Sequence, residues 1–346
     1  IDVLEADGFA QLKGKKVGLL THPAGVNRRG ESTVDVLRRA AGVQLVALFG
    51  PEHGIYGDAA AAVNIANTTD KRTGLPVFSL YGPTKRPTKA MLKGIDALVI
   101  DLQDIGTRSY TFVSAMRWAM EGCFQNGVEV IVLDRPNPLG GLKVDGPPLD
   151  LKWSRQNYVG AFRVPYVHGL TIGELARMAK EAPGVLEITD EERAKGRLRV
   201  IPMRGWTRAM RWPDTGLKFV PTSGLIQDFE AVQGYPMTGL GSYFDPNPKV
   251  NFDLGFRTGV GPAHPFRGLS HKRVPLEALE KELAAIQAKL PGIRFQKITM
   301  PNTKTGKNGN GIYIQITDPE AWRPVELNFW MMKLACKLSP QNPFKP

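Results

Sequence analysis

Five short apolar runs, rich in β-branched residues and separated by segments of helical periodicity, constrain this fold more than any other feature. They span residues 16–20 (KVGLL), 43–49 (VQLVALF), 76–80 (PVFSL), 96–100 (DALVI) and 128–133 (VEVIVL). Runs this short, and apolar with little alternation, belong to parallel strands covered on both faces. Between them, residues 32–41 carry Val34, Leu37 and Ala41 on one side, and residues 109–126 carry Phe112, Met116, Ala119 and Cys123 at helical spacing; a shorter helix is expected at 88–93. Strand and helix in repeated alternation predict a doubly wound α/β sheet over residues 1–150.

The texture changes from about residue 150. Residues 151–220 read as a connecting segment: an irregular aromatic stretch to Val167, a helix at 171–180 opened by a Thr171 and Glu174 capping box, and a strand at 198–203. Residues 221–346 read as a smaller α+β domain. Its first part, 221–268, is dense in Gly and Pro, includes Asp245-Pro246-Asn247-Pro248, and reads as largely loop; helix 276–290, strand 293–299, a turn at 302–310, strand 311–317 and helix 320–338 follow.

In a doubly wound sheet, ligands bind outside the carboxyl ends of the strands, so the residues after each run carry the functional argument. After the second run comes Gly50-Pro51-Glu52-His53-Gly54, a turn that presents a carboxylate and an imidazole. The other strand ends supply His22, Asp101, Asp104, Arg108, Asp134, Arg135 and Asn137. Several carboxylates around one crevice push at least one pKa upward, and a carboxylic acid kept protonated is what glycosidic-bond cleavage requires. Each residue also has a plainer reading. Asp134 and Arg135 form either an ion pair ordering a strand end or part of a binding site, and Asn137 is a turn residue or a hydroxyl ligand. Tyr110 is a stacking residue or core, and His168 is a crevice or a loop histidine.

Other chemistries lack their patterns. No G-x-G-x-x-G or G-x-x-x-x-G-K-[ST] occurs, so no nucleotide cofactor is expected. His22, His53, His168, Asp101, Asp104 and Asp134 are metal-ligand types, but no H-x-H or H-x-x-x-H spacing exists, and none is assigned to a metal. No G-x-S-x-G marks a serine nucleophile. Cys123 and Cys336 have neither zinc nor disulfide spacing. The net charge of +12 favours anionic partners. The basic residues are scattered, however, and the densest basic-aromatic segment, residues 204–211 around Trp206, lacks the motifs that read bases, so no nucleic-acid partner is expected. No run is long enough for a membrane-spanning helix. The chain opens on Ile1 rather than Met, which implies a removed segment; a secretory signal is one reading.

Taken in order, PEHG (51–54) with Gly57-Asp58, TGLPVFSLYG (73–82), DLQDIGTRSYTF (101–112), LDRPNPLGG (133–141) and PYVHGLTIGELA (165–176) resemble the DUF1343 family, whose characterised members are NamZ-type exo-β-N-acetylmuramidases. The resemblance implies a Rossmann-like N-terminal domain, a smaller α+β C-terminal domain and a cleft between them. It also implies Glu52 as the catalytic residue; on the residues themselves, His53 either tunes Glu52 by hydrogen bonding or holds the turn, and Asp101 is a candidate partner acid. The implied reaction releases terminal β-1,4-linked N-acetylmuramic acid from the non-reducing ends of peptidoglycan fragments. The lactyl carboxylate of that sugar agrees with a basic protein and with Arg108, Arg135 or Lys85 at the site.

The chain departs from the expected Glu-Gly-Thr-Asn and Glu-Gly-Arg-Gly pattern. Residues 235–240 are followed by Gly241-Ser242-Tyr243-Phe244, and later by Gly255-Phe256-Arg257, which leaves Arg257 in the arginine's place and both glutamates absent. A two-carboxylate mechanism then needs Asp101, Asp104 or Glu230, and substrate assistance by the acetamido group is the other route. Two alternatives stay open: an envelope sugar-binding protein without turnover, and a hydrolase of another glycoside or an amide. The expected location is periplasmic or secreted, with cytoplasmic recycling of imported fragments open.

Overall fold

The computed structural model describes residues 1–60, 63–154, 157–239, 255–260, 263–301 and 308–338. The expected loop at 245–248 and most of the expected turn at 302–310 lie outside them. The elements fall into two compact units, residues 1–227 and 228–346.

In the first unit the elements are α1 (Asp2–Ala6), β1 (Lys16–Thr21), α2 (Thr33–Arg39), β2 (Gln44–Gly50), β3 (Thr68–Thr69), β4 (Pro76–Ser79), β5 (Ala97–Asp101), α3 (Phe112–Gln125), β6 (Glu129–Leu133), α4 (Ile172–Glu181), α5 (Asp190–Lys195) and β7 (Leu198–Ile201). Seven strands form one sheet in the order β3-β4-β2-β1-β5-β6-β7, parallel except for the short β3 at its edge. All five apolar runs are strands, and β7 adds one from the connecting segment. The chain builds outward from β1 through β2 and β4, then returns to β5 on β1's other side. The order therefore reverses beside β1, where Thr21 is in register with Asp101, and a crevice for ligand is expected at such a reversal.

Central strands β5 and β6 are buried at every residue. Val17, Leu19, Leu48, Val99 and Ile131 form one core cluster with Val36 and Leu37 of α2, and burial of each contributes roughly 1.5–3 kcal/mol. Helix α3 is buried on nearly all sides. It holds a charged pair inside: the Arg117 Nε donates to Glu121 Oε1 at 2.9 Å, and Arg86 Nε lies 2.5 Å from Glu121 Oε2. That network ties the segment after β4 to the face of α3 that carries Trp118.

Two expectations need correction. Residues 88–93 make hydrogen-bonded turns, Leu92 N to Thr88 O at 3.0 Å and Lys93 N to Ala90 O at 3.4 Å, rather than a helix. Six residues closed by Gly94 offer too few bonds to repay helix nucleation. Within the stretch expected as largely loop lies a ten-residue helix, α6 (Phe229–Thr238), capped by the Asp228 side chain accepting from Ala231 N at 2.8 Å. The second unit continues with β8 (Phe256–Thr258), β9 (Gly268–His271), α7 (Leu276–Gln287), β10 (Ile293–Met300), β11 (Gly309–Ile316) and α8 (Pro324–Leu338). Its strands form an antiparallel sheet in the order β10-β11-β9-β8, two strands more than the expected pair.

Candidate active site

Glu52 sits in the turn that ends β2. Pro51 stops the strand, and His53 takes a left-handed backbone (φ 68°), as does Gly54 (φ 76°). A non-glycine residue there is uncommon and is held by its surroundings. The His53 Nδ1 is 2.8 Å from the Ala59 carbonyl oxygen, so the Nδ1–H donates and the loop is pinned to the turn. Glu52 is half-buried. Its Oε2 accepts a hydrogen bond from Thr111 Oγ1 at 2.7 Å, and Tyr81, just beyond β4, is hydrogen-bonded to the same carboxyl. Burial, and then the charge of Glu52, push the Tyr81 phenol well above its ordinary value; burial, Tyr81 and Glu52 do the same to Tyr158. Both phenols therefore stay protonated. Tyr158 packs at 4.4 Å between the rings of Tyr81 and Trp118, and its hydroxyl donates to the Leu80 carbonyl. The result is a carboxyl group oriented by two hydroxyl donors beside a run of three aromatic rings.

The reversal point next to it is built differently. Asp101 is fully buried, and Arg135 grips it with Nε at 2.5 Å and Nη2 at 2.9 Å while Thr33 Oγ1 also donates to it. Burial pushes this carboxyl up, but the Arg135 and Thr33 contacts outweigh it and leave the group lowered. The remaining Arg135 Nη2 bond goes to the Val26 carbonyl at 2.8 Å. Asp104 accepts from Gly106 N at 2.8 Å and has His168 Nε2 at 3.2 Å, while His168 Nδ1 accepts from Leu170 N at 3.1 Å. Asp134 accepts from Thr171 Oγ1 at 3.0 Å and Gly173 N at 2.8 Å, closing the N-terminus of α4, and burial leaves its carboxyl raised. Asn137 is buried, bonded to Leu170 O at 3.0 Å and Leu139 N at 3.0 Å. Arg108 donates to the Pro147 and Val164 carbonyls at 2.9 and 2.6 Å, and the Tyr110 hydroxyl donates to Thr222 Oγ1 at 2.7 Å. Each side chain thus has a bonding partner in the framework. Among the described residues, no three His, Cys, Asp or Glu side chains converge as a metal cage requires.

His22 lies in the same network, edge-on to Phe112 at 4.5 Å, with Nε2 accepting from Gln103 N at 2.9 Å. Burial, and then the Arg135 charge, lower its pKa to about 3. The unfolded chain takes up that proton near the ordinary value of 6.5, and the folded protein only near 3, so stability falls as pH drops below 6.5. Folding is expected to be weaker by roughly 2 kcal/mol at pH 5 than at pH 7 on this account alone. Urea unfolding at the two pH values checks it: His22→Gln should show a difference smaller by that amount, and equal pH dependence in both proteins rejects it.

Sequence reasoning missed Tyr81, Thr111, Trp118 and Tyr158 around Glu52. Tyr81 follows β4 directly, and the strand-end rule could have found it; Trp118 looks like any core residue of a helix. In the second unit, Arg257 is exposed on β8. Glu230, a candidate partner acid on sequence, sits there among partners the sequence did not show: its Oε2 is 3.0 Å from His264 Nδ1, Tyr313 donates to its other oxygen, and Arg267 Nη2 reaches Tyr313 at 2.9 Å. Burial raises the Glu230 carboxyl, but the bonds from Tyr313 and His264 outweigh it and leave it lowered.

The comparisons with known proteins agree along the chain. Residues 17–230 match the family model for the N-terminal part of the exo-β-N-acetylmuramidase NamZ, and residues 252–345 match that for its C-terminal part. The peptidoglycan β-N-acetylmuramidase NamZ of Bacillus subtilis (strain 168) is 37% identical over 345 residues, covering 99% of this chain and 78% of that protein. Two crystal structures of DUF1343 family proteins from Bacteroides fragilis share the fold. One has a TM-score of 0.82 at 38% identity, covering 98% of this chain and 82% of the other; the second has 0.70 at 27%, covering 99% and 84%. With both halves matched in order and full-length identity of this size, the chain belongs to the NamZ family of exo-β-N-acetylmuramidases.

Proposed function

We propose that this protein is a peptidoglycan β-N-acetylmuramidase, releasing terminal β-1,4-linked N-acetylmuramic acid from the non-reducing ends of peptidoglycan fragments. The observation that carries the reading is the likeness to the Bacillus subtilis enzyme over 99% of the chain. Glu52 is the general acid. It gives its proton to the glycosidic oxygen as the bond from that oxygen to the anomeric carbon breaks; water, directly or after the sugar's own acetamido oxygen, forms the new bond to that carbon and its proton restores the acid, while the hydroxyls of Thr111 and Tyr81 stabilise the carboxylate in between. His53 fixes the turn through Ala59, and the part-exposed rings of Tyr81 and Tyr158 offer apolar surface to a sugar ring. His22, Asp101, Asp104, Arg108, Tyr110, Asp134, Arg135, Asn137 and His168 shape the strand ends around the site. No helix of the described residues is long and apolar enough to cross a membrane. A peptidoglycan substrate supports a periplasmic or secreted location, with cytoplasmic recycling of imported fragments as the alternative.

Hydrolysis of a chromogenic β-N-acetylmuramide, with the β-N-acetylglucosaminide as control, tests the function. Cleavage of the muramide and not the control is the expected result. Failure to cleave either, while N-acetylmuramic acid still binds in a calorimeter, overturns it in favour of an envelope sugar-binding protein.

A further inference from the structure

The sugar assigned above differs from N-acetylglucosamine by one acidic substituent, the lactyl ether, so discrimination requires a cation beside the Glu52 site. Three cations in the first unit were open to that role on sequence grounds, and two are engaged. Arg135 is bonded to Asp101 and Val26, and Arg108 to two backbone carbonyls. Arg86, the next residue to Lys85, is paired with Glu121 at 2.5 Å and Glu187 at 2.8 Å.

Lys85 is placed otherwise. Its Nζ lies 5.0 Å from the centroid of the Trp118 ring and 5.1 Å from that of Tyr158. Two ring faces hold the ammonium by cation–π attraction and limit its motion. Among the described residues it has no carboxylate partner. Tyr158 stacks on Tyr81, and Tyr81 is bonded to Glu52, so one continuous row of side chains joins the ammonium to the acid. A surface pocket of about 440 Å³ opens beside Lys85 and Trp118, with Thr84 and Thr88 on its wall. Glu187 also lines it, but its carboxylate is already taken by Arg86 and lies 3.3 Å from Arg117.

We propose that Lys85, seated on Trp118 and Tyr158, binds the lactyl carboxylate of the terminal sugar and so selects muramic over glucosamine substrates. This rests on the muramidase reading. A cation held on aromatic faces keeps its charge undivided for an incoming anion, and a charge-assisted bond formed there is stronger than one to a mobile surface lysine. A lysine that merely packs on the rings would favour no substrate over another.

The test compares wild type, Lys85→Met and Lys85→Arg on the chromogenic β-N-acetylmuramide as the free acid and as its lactyl methyl ester. Lys85→Met should lower kcat/KM on the free acid about tenfold to a hundredfold, the size of one hydrogen bond to a charged group. The change should lie mainly in KM and should collapse the preference for acid over ester, with Lys85→Arg restoring part of it. If wild type cleaves the acid and Lys85→Met keeps the wild-type acid-to-ester ratio, the proposal fails while the muramidase reading stands. If wild type cleaves neither compound, that reading fails, and calorimetry with N-acetylmuramic acid decides the role of Lys85. Equal affinity in wild type and Lys85→Met overturns it, and an affinity at least tenfold weaker in the variant supports it.

Discussion

Glu52→Gln is expected to lower kcat on the chromogenic β-N-acetylmuramide by at least about 100-fold, the usual worth of a positioned general acid, with KM and thermal stability close to those of wild type. The glutamine carbonyl can still accept from Thr111 and Tyr81, the two partners that orient the carboxyl group. What it cannot do is give up a proton. Substrate binding and folding therefore separate from chemistry in this one substitution, and steady-state kinetics with a melting curve read both. A variant that keeps more than a tenth of the wild-type kcat would remove Glu52 from the role of acid. A variant that loses activity together with its fold would be answered by Glu52→Asp, which retains the acidic group but withdraws it by one methylene and should regain only part of the rate.

The strands were legible in the sequence because parallel strands covered on both faces leave a signature that helices of this chain do not share. The runs ending at Phe49, Ile100 and Leu133 marked where the strand-end turns lie, and so drew attention to Glu52, Asp101, Asp134 and Arg135. The pairing of side chains was not legible. Tyr158 comes from a segment with no regular structure, and only the fold brings it between Tyr81 and Trp118. The charges were misleading in a similar way. A count of carboxylates at strand ends suggests mutual repulsion, yet Asp101 meets Arg135 and Asp134 meets the N-terminus of α4, so each is bound to its own partner. Helix α6 was hidden by Gly234 and Pro236 within it, which lower propensity but are outweighed by the Asp228 cap and by packing against α8. The cluster around Glu230 draws on α6, the segment before β9 and β11, and no local spacing could announce it.

Removing one partner of the buried pair at the end of β5 should have the largest effect on stability. Asp101 has no exposed surface, and the Arg135 side chain is about one-tenth exposed. Arg135→Met would leave a carboxylate without its compensating charge and is expected to cost about 3–5 kcal/mol in urea unfolding at pH 7. With Asp101→Asn added, most of that loss should return, because the charge is gone. The pH dependence follows from the lowered Asp101 carboxyl. The unfolded chain binds this proton near 3.8 and the folded protein only below that, so the pair stabilises fully above the unfolded value and loses its contribution as pH falls through the folded one. The gap between wild type and Arg135→Met should therefore narrow in acid, where the variant's buried carboxyl is protonated. A loss below about 1 kcal/mol at pH 7, or a double variant no more stable than Arg135→Met, would contradict an ion pair of this kind. The double variant also separates the two roles open to Asp101. Near-normal turnover in a refolded, restabilised protein makes Asp101 framework that sets the strand end beside Glu52; a loss of about 100-fold or more despite regained stability makes it part of the chemistry.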